Sequence, residues 1–280
     1  MGSESIFRPL RARSLIVTIF GDALAPHGGE TALGSLIAAA ALFGVNERLV
    51  RTAVLRLQRE DWLAARRVGR RSDYRLSDTG WQRYEDAQRR IYAAGPPLWD
   101  GTWTLVLPGR SPTLRRALSL QGFGAVGEAL VHPLADRAAL DHALQEHAAD
   151  GAVVLHGEGK GFSARVGEAW DLEALAAEYR EFVRRFGADA KSPPRAAEAC
   201  FRLRILAVHE YRRILLRDPE LPEELLGHAW PGAEARAVLT KLYRRVERRA
   251  EEWIMREFAT SSGPLPPAAP SYYTRFGGLR

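Results

Sequence analysis

A single cysteine, Cys200, among 280 residues leaves no partner for an internal disulfide, which suits a reducing compartment. Its apolar, helical surroundings assign it to buried structure rather than to nucleophilic chemistry. Long apolar runs are missing too. The richest, residues 37–43, falls far short of the ~18–20 residues that a membrane-spanning helix needs. The first ten residues lack the basic-then-apolar layout of a secretory signal, so a cytoplasmic chain with no membrane contact is expected. One cysteine and seven scattered histidines offer no zinc-ligand spacing. There is no GxSxG motif and no Walker loop. The run GEGKG at 157–161 has the wrong spacing and no following Ser or Thr, and reads as a turn after a strand. No catalytic group, metal site or cofactor is expected.

What is abundant is arginine. Only 3 of the 40 basic residues are lysine, at 160, 191 and 241. The net charge of +6 is unevenly spread: residues 1–95 hold 15 Arg against 10 acids, whereas residues 96–280 hold 25 basic residues against 24 acids. An excess confined to the first third points to a polyanion as its partner. Apolar and charged fractions of 46% and 26% are those of an ordinary globular chain. At roughly 100–200 residues per domain, the length implies two or three domains.

The pattern in the first third is specific. Residues 15–24 read as a short buried helix broken at His27-Gly28-Gly29. A second helix is expected from near Thr31 to Gly44. A third begins at Val45-Asn46, with Asn46 as N-cap and Val45 and Val50 placed for a hydrophobic staple. Leu49, Val50, Ala53, Val54 and Leu57 are expected to face inward. Arg48, Arg51, Thr52, Arg56 and Arg59 fall on the other side. Two short strands then flank Gly69-Arg70-Arg71-Ser72, a hairpin with an arginine-rich tip. LSDTG opens a fourth helix, with Trp81, Tyr84, Ile91 and Tyr92 as its apolar positions.

Such a third helix suits the major groove of double-stranded DNA. Its outward side chains reach base edges while the preceding helix crosses the backbone. Arginine offers paired donors to guanine and asparagine does the same for adenine. Asn46, Glu47, Arg48, Arg51, Thr52 and Arg56 are the candidate base-facing residues. Arg66, Arg67, Arg70, Arg71, Ser72 and Tyr74 of the hairpin are candidates for backbone contact, which supplies affinity and register. RNA readers display aromatic platforms, and only Tyr74 lies near this basic face.

The chain resembles the PaaX family, repressors of phenylacetic acid degradation operons in bacteria. The resemblance runs from about residue 14 to about residue 257. RSLIVTIFGD, GVNERLVRTAVLRLQREDWL, GRRSDYRLSDTG, WDGTWTLVLPG and HEYRRILLRDPELPEELL followed by WPG carry it. It implies an α+β multidomain fold, with an N-terminal winged helix-turn-helix, a middle ferredoxin-like (Cas2-like) domain and a helical C-terminal domain. It also implies a homodimer on a palindromic operator, released by an aryl-CoA thioester such as phenylacetyl-CoA.

Beyond residue 95 the expected domains are a middle α+β domain at 96–170, a helical domain at 171–260 and an irregular tail at 261–280. Strands are read at 103–107, 125–132 and 152–156, with helices at 112–120 and 137–147 between them. Helices follow near 171–187, 195–217 and 233–258. The apolar helix at 195–217 also carries His209, Arg212, Arg213 and Arg217. These form either an internal ion-pair cluster, with Glu210, Asp218 or other acids, or a basic pocket for the phosphates of a CoA-type effector. Leu239, Leu242, Val246, Trp253 and Ile254 form a broad face that reads as core. A metal-dependent nuclease built on the middle domain is the alternative function, although no acidic metal-binding cluster is evident there.

Overall fold

Caps and chain breaks set most element boundaries in the computed structural model, which describes residues 10–69, 71–147, 151–159, 161–227 and 229–279. Arg70 and Lys160 lie outside the described residues. Helix α1 (Ala12–Ile19) runs into a π turn at Phe20–Leu24 and a 3-10 turn at Ala25–His27. Gly28 and Gly29, at φ of 86° and 68°, end that run in a conformation that favours glycine. Helix α2 (Leu33–Ala41) starts two residues later than the sequence suggests, because Thr31 and Ala32 belong to a short strand, β1 (Glu30–Ala32). Helix α3 (Glu47–Arg59) follows, then β2 (Leu63–Val68), β3 (Arg71–Leu76) and α4 (Asp78–Ile91). Ser77 caps α4, its Oγ accepting the Gly80 amide at 2.9 Å.

The middle of the chain runs β4 (Thr102–Leu107), α5 (Pro112–Leu120), β5 (Gly124–Val126), β6 (Ala129–His132), α6 (Arg137–Glu146) and β7 (Val153–Glu158). The single strand expected at 125–132 is therefore a hairpin. Val126 pairs with Ala129 across Gly127, whose φ of 61° makes the reversal that alternating hydrophobicity could not reveal. Helices α7 (Val166–Ala169), α8 (Leu172–Lys191), α9 (Ala197–Leu215), α10 (Glu223–Leu226) and α11 (Pro231–Glu257) come next, then β8 (Ala259–Thr260) and β9 (Gly263–Pro264).

The chain divides into two compact units whose boundaries fall inside α8, α9 and α11. The first holds the chain up to Ala94 with Arg184–Arg212 and Ala237 onward. Its antiparallel sheet has the order β1-β3-β2. Leu15, Ile16, Ile19, Leu36, Val50 and Leu57 are fully buried, as are Phe201, Ile205, Leu239, Leu242 and Val246. The α11 face expected to be core is core: Trp253 is buried and stacks on Phe201 at 3.9 Å.

The tail differs from expectation. Its Pro, Gly and Ser content suggests irregular chain, yet Leu265, Tyr272, Phe276 and Leu279 are buried and a broken 3-10 segment spans Pro270–Gly277. Backbone bonds from Ala269 to Pro26 and from Phe276 to Tyr92, each 2.8 Å, hold it to the first unit. A few well-placed apolar side chains outweigh a composition poor in helix formers.

A buried ion cluster crosses the same unit. Asp22 accepts from Arg204 Nε at 2.7 Å, from Tyr92 OH at 2.7 Å, from Tyr243 OH at 3.0 Å and from Arg275 Nη1 at 3.2 Å. Glu251 accepts from Arg204 Nη1 at 2.6 Å and from Tyr272 OH at 3.0 Å, and meets His27 Nε2 at 2.9 Å. Burial alone would raise the Glu251 pKa, but Arg204 and then His27 hold it down to about 2. Desolvation likewise opposes the charge on Arg204, and Asp22 with the neighbouring tyrosines keeps it protonated.

The second unit holds Gly95–Val183 and Arg213–Arg236. Its sheet is antiparallel throughout, in the order β5-β6-β4-β7. Helix α5 joins β4 to β5 past the intervening β6, and α6 joins β6 to β7 past β4. Val106 and Leu130 pack with Leu114, Leu118 and Leu140 of these helices in one core. Trp103 and Val131 pack with Val166 and Leu221 in another.

Candidate nucleic-acid interface

Helix α3 owes its start to Asn46, whose Oδ1 accepts the Leu49 amide at 3.0 Å. Val45 and Val50, the staple positions, are both buried. Val50, Ala53, Val54 and Leu57 form the inward stripe. Leu49, expected beside them, is 48% exposed, because it sits about 100° round the helix from Val50. Glu47, Arg48, Arg51, Thr52, Leu55, Arg56 and Arg59 are exposed with it.

These exposed groups differ in what they already hold. Arg51 is paired with Glu47 one turn back, Nη2 to Oε1 at 2.7 Å. The Thr52 hydroxyl donates to the Arg48 carbonyl at 2.9 Å. The Asn46 carboxamide oxygen is occupied by its cap. The guanidinium groups of Arg48, Arg56 and Arg59 make no hydrogen bond or ion pair among the described residues. Their donors are available to an outside acceptor, and an exposed guanidinium can offer two parallel bonds to phosphate or guanine.

The hairpin places its arginines on different faces. Cross-strand register puts Arg66 opposite Asp73 and Ala64 opposite Arg75, whereas Arg67 lies opposite Ser72 and Ala65 opposite Tyr74. Side chains alternate along a strand, so Arg66 and Arg75 share one face and Arg67, Ser72 and Tyr74 share the other. Arg66 is held by Glu30 at 2.7 Å and Asp73 at 3.5 Å. Asp73 is buried and also accepts from the Ser261 amide and hydroxyl. Among the described residues Arg67 donates only to the Gly69 carbonyl of its own turn, at 3.3 Å. Arg75, exposed and without a partner among the described residues, is absent from the candidates drawn from the sequence. Alternation along β3 from Asp73, which lies opposite Arg66, reaches it.

The four candidates on α9 and just beyond its end fall into two settings. In the first unit the His209 Nδ1 lies 3.0 Å from the Thr18 hydroxyl, and Arg212 lines a cleft. In the second unit Arg213, at 2.9 Å, and Arg217 both bind Glu178, whose pKa is lowered first by the Arg217 hydrogen bond. The wholly buried cation of α9 is Arg204, which the sequence reading passed over. Its position inside the apolar run from Phe201 to Val208 was the clue. Among the described residues no group of three or more His, Cys, Asp or Glu side chains is placed to hold a metal ion, and no helix is long and apolar enough to cross a membrane.

Two family models match: a PaaX-like protein over residues 11–80 and a PaaX-like protein C-terminal domain over residues 170–256. The chain is 38% identical over 295 aligned positions to the transcriptional repressor PaaX of Escherichia coli, covering 97% of this chain and 92% of that one. The chain belongs to the PaaX family. Among solved structures, the uncharacterized protein Rv0674 from Mycobacterium tuberculosis shares the fold at a TM-score of 0.56 and 24% identity, with 87% of this chain and 98% of that one covered. The first family model spans the whole of α3 and the hairpin, and the second spans α8, α9 and nearly all of α11.

Proposed function

We propose that this chain is a DNA-binding transcriptional repressor of an aromatic-acid, phenylacetate-type catabolic operon, released from its operator by an aryl-CoA thioester. The observation that carries the reading is the outer face of α3, where Arg48 and Arg56 stand exposed with their donors unspent among the described residues. Kinship with a curated transcriptional repressor sets the class of function. In this reading residues up to Ala94 work as a winged helix-turn-helix: α2 crosses the backbone, α3 enters the major groove, and the β2–β3 hairpin is the wing. The four-stranded sheet of the second unit, with its two crossover helices, is a ferredoxin-like domain.

Arg48 and Arg56 read guanine edges, and Leu49 and Leu55 offer apolar contact to thymine methyls. Arg51 reaches a base by exchanging its Glu47 bond. Arg67, Ser72 and Tyr74, on one face of the hairpin, follow phosphates, and the tip that carries Arg70 and Arg71 adds to the backbone contact. Arg66, bound to Glu30 and Asp73, shapes the wing and contacts the backbone least. A homodimer sets two such helices about one helical turn apart, or a multiple of it. The effector acts by favouring an arrangement that no longer matches this spacing. The role is one of binding, without a chemical step.

The test is a footprint of the full chain on its own upstream DNA at fixed salt, titrated with phenylacetyl-CoA. Protection that is lost with the thioester, but not with free CoA or phenylacetate, is the expected result. Protection indifferent to the thioester removes the effector, and no preference over random DNA removes that upstream operator.

A further inference from the structure

The β8–β9 hairpin follows α11 directly and belongs to the first unit. Its turn is Ser261-Ser262. The Thr260 hydroxyl closes that turn, donating to the Gly263 carbonyl at 3.1 Å and accepting the Ser262 amide at 3.2 Å. Its base is anchored on both sides. The Thr31 hydroxyl of β1 donates to the Ala259 carbonyl at 3.2 Å, and the Ala259 amide donates to the Ser35 hydroxyl of α2 at 3.3 Å. Phe258, just before it, is buried with its ring edge-on to those of Phe201 and Trp253. This segment is a strap tied down at its root.

The turn of the strap meets one residue of the β2–β3 hairpin. Asp73 lies on the central strand, opposite Ala32 of β1 and Arg66 of β2, and has no solvent exposure. Ser261 gives it three bonds: the amide donates to each carboxylate oxygen at 3.0 Å and the hydroxyl donates to Oδ1 at 2.7 Å. Arg66 adds a longer one at 3.5 Å. A carboxylate taken out of water is costly unless donors replace the water. Here the closest donors come from 188 residues away rather than from its own hairpin.

The place of this clamp in the sheet matters. Strand β1 pairs with β3 only from Asp73 to Arg75, so Asp73 is the last position of β3 flanked on both sides. Beyond it the pairs Arg67–Ser72 and Val68–Arg71 form a two-stranded tip. Two strands alone hold their direction poorly in water. Ser261 therefore grips the hairpin at the point from which the arginine-bearing tip projects.

We propose that Asp73 and Ser261 are a positioning pair for DNA binding: the strap fixes the angle of the tip, so that Arg67 and its neighbours meet phosphates while α3 lies in the groove. This rests on the DNA-binding reading given above. Neither residue touches the duplex; each acts through the tip. Because the strap continues α11 with no break but Phe258, the end of that helix and the tip are held together through one carboxylate.

The test is a salt titration of the full chain on a duplex of its own upstream sequence, using Asp73→Ala, Ser261→Ala and Ser261→Thr. Affinities are corrected for the folded fraction, taken from urea unfolding of each variant. Asp73→Ala is expected to bind about tenfold more weakly, with a slope of log affinity against log salt lower by about 0.9, the equivalent of one phosphate contact. Ser261→Ala, which keeps the amide bonds, should lose about threefold in the same direction. Ser261→Thr keeps the hydroxyl and should bind as the wild type does. Wild-type affinity and slope in both alanine variants would overturn the positioning role and leave the DNA reading standing. So would a loss in Ser261→Thr equal to that in Ser261→Ala. A wild-type chain that binds no duplex would remove the DNA reading and the positioning pair together. Should Asp73→Ala fail to fold, Ser261→Ala decides alone.

Discussion

The arginines of α3 and those of the Asp22 cluster are the same residue put to opposite uses. Arg204 and Arg275 are buried, and every bond of theirs described above ends on an oxygen of the first unit. Arg48 and Arg56 are exposed, and their guanidinium groups bond to nothing among the described residues. The difference separates donors spent inside the chain from donors left open. A guanidinium enclosed by carboxylates and tyrosines fixes the chain against itself, whereas one left open on a capped, amphipathic helix is fixed only at its Cα. The contrast also explains how the tail belongs to the first unit. Arg275 and Tyr272 reach the same acids, Asp22 and Glu251, that Arg204 engages.

Mutations at the two sets should therefore separate stability from binding. The largest effect is expected from Arg204→Met, which leaves Asp22 and Glu251 short of a buried partner. Breaking one side of a buried pair costs about 3–5 kcal/mol, to be seen as a lower urea midpoint. A wild-type midpoint would mean that the cluster contributes little.

Acid sharpens the same comparison. Glu251 titrates near 2 in the folded chain, below its ordinary 4.5. A depressed carboxylate stabilises the fold above its unfolded pKa, and that contribution is lost as pH falls from about 4.5 towards 2. The Tm should decline through that window, and Glu251→Gln, already lacking the charge, should decline less steeply. Parallel curves would place the acid sensitivity elsewhere.

A smaller effect belongs to Asn46→Ala, which removes the α3 cap and should cost about 1 kcal/mol of stability. It tests whether α3 depends on its own N-terminus or is held wholly by its buried stripe. Smallest is Arg67→Ala. It should weaken binding to all DNA sequences alike and reduce the slope of log affinity against log salt by about 0.9. An unchanged slope would take Arg67 off the phosphate track.

Much of α3 was legible because its signals are local: the Asn46 cap, the valine pair and the 50/53/54/57 stripe all lie within one helix and its flank. The arginine-tipped hairpin was legible for the same reason. What was hidden depends on distant partners or on single dihedrals. Nothing near Arg66 in sequence announces Glu30, and nothing in the Pro-rich tail announces that Tyr272 and Phe276 are core. Gly127 turned one expected strand into two through a positive φ that periodicity does not register. Arg204 stood in plain view within an apolar run, but its partner Asp22 is 182 residues away.

The most direct test of the account is operator binding by the Arg48→Ala/Arg56→Ala double variant against the wild type, measured on specific and random DNA at one salt concentration. Each lost base contact should cost about 1–3 kcal/mol on the operator, with far less change on random DNA. Stability should stay within about 0.5 kcal/mol of wild type, as expected of exposed unpaired positions. An operator affinity equal to that of the wild type would show that α3 does not read the bases.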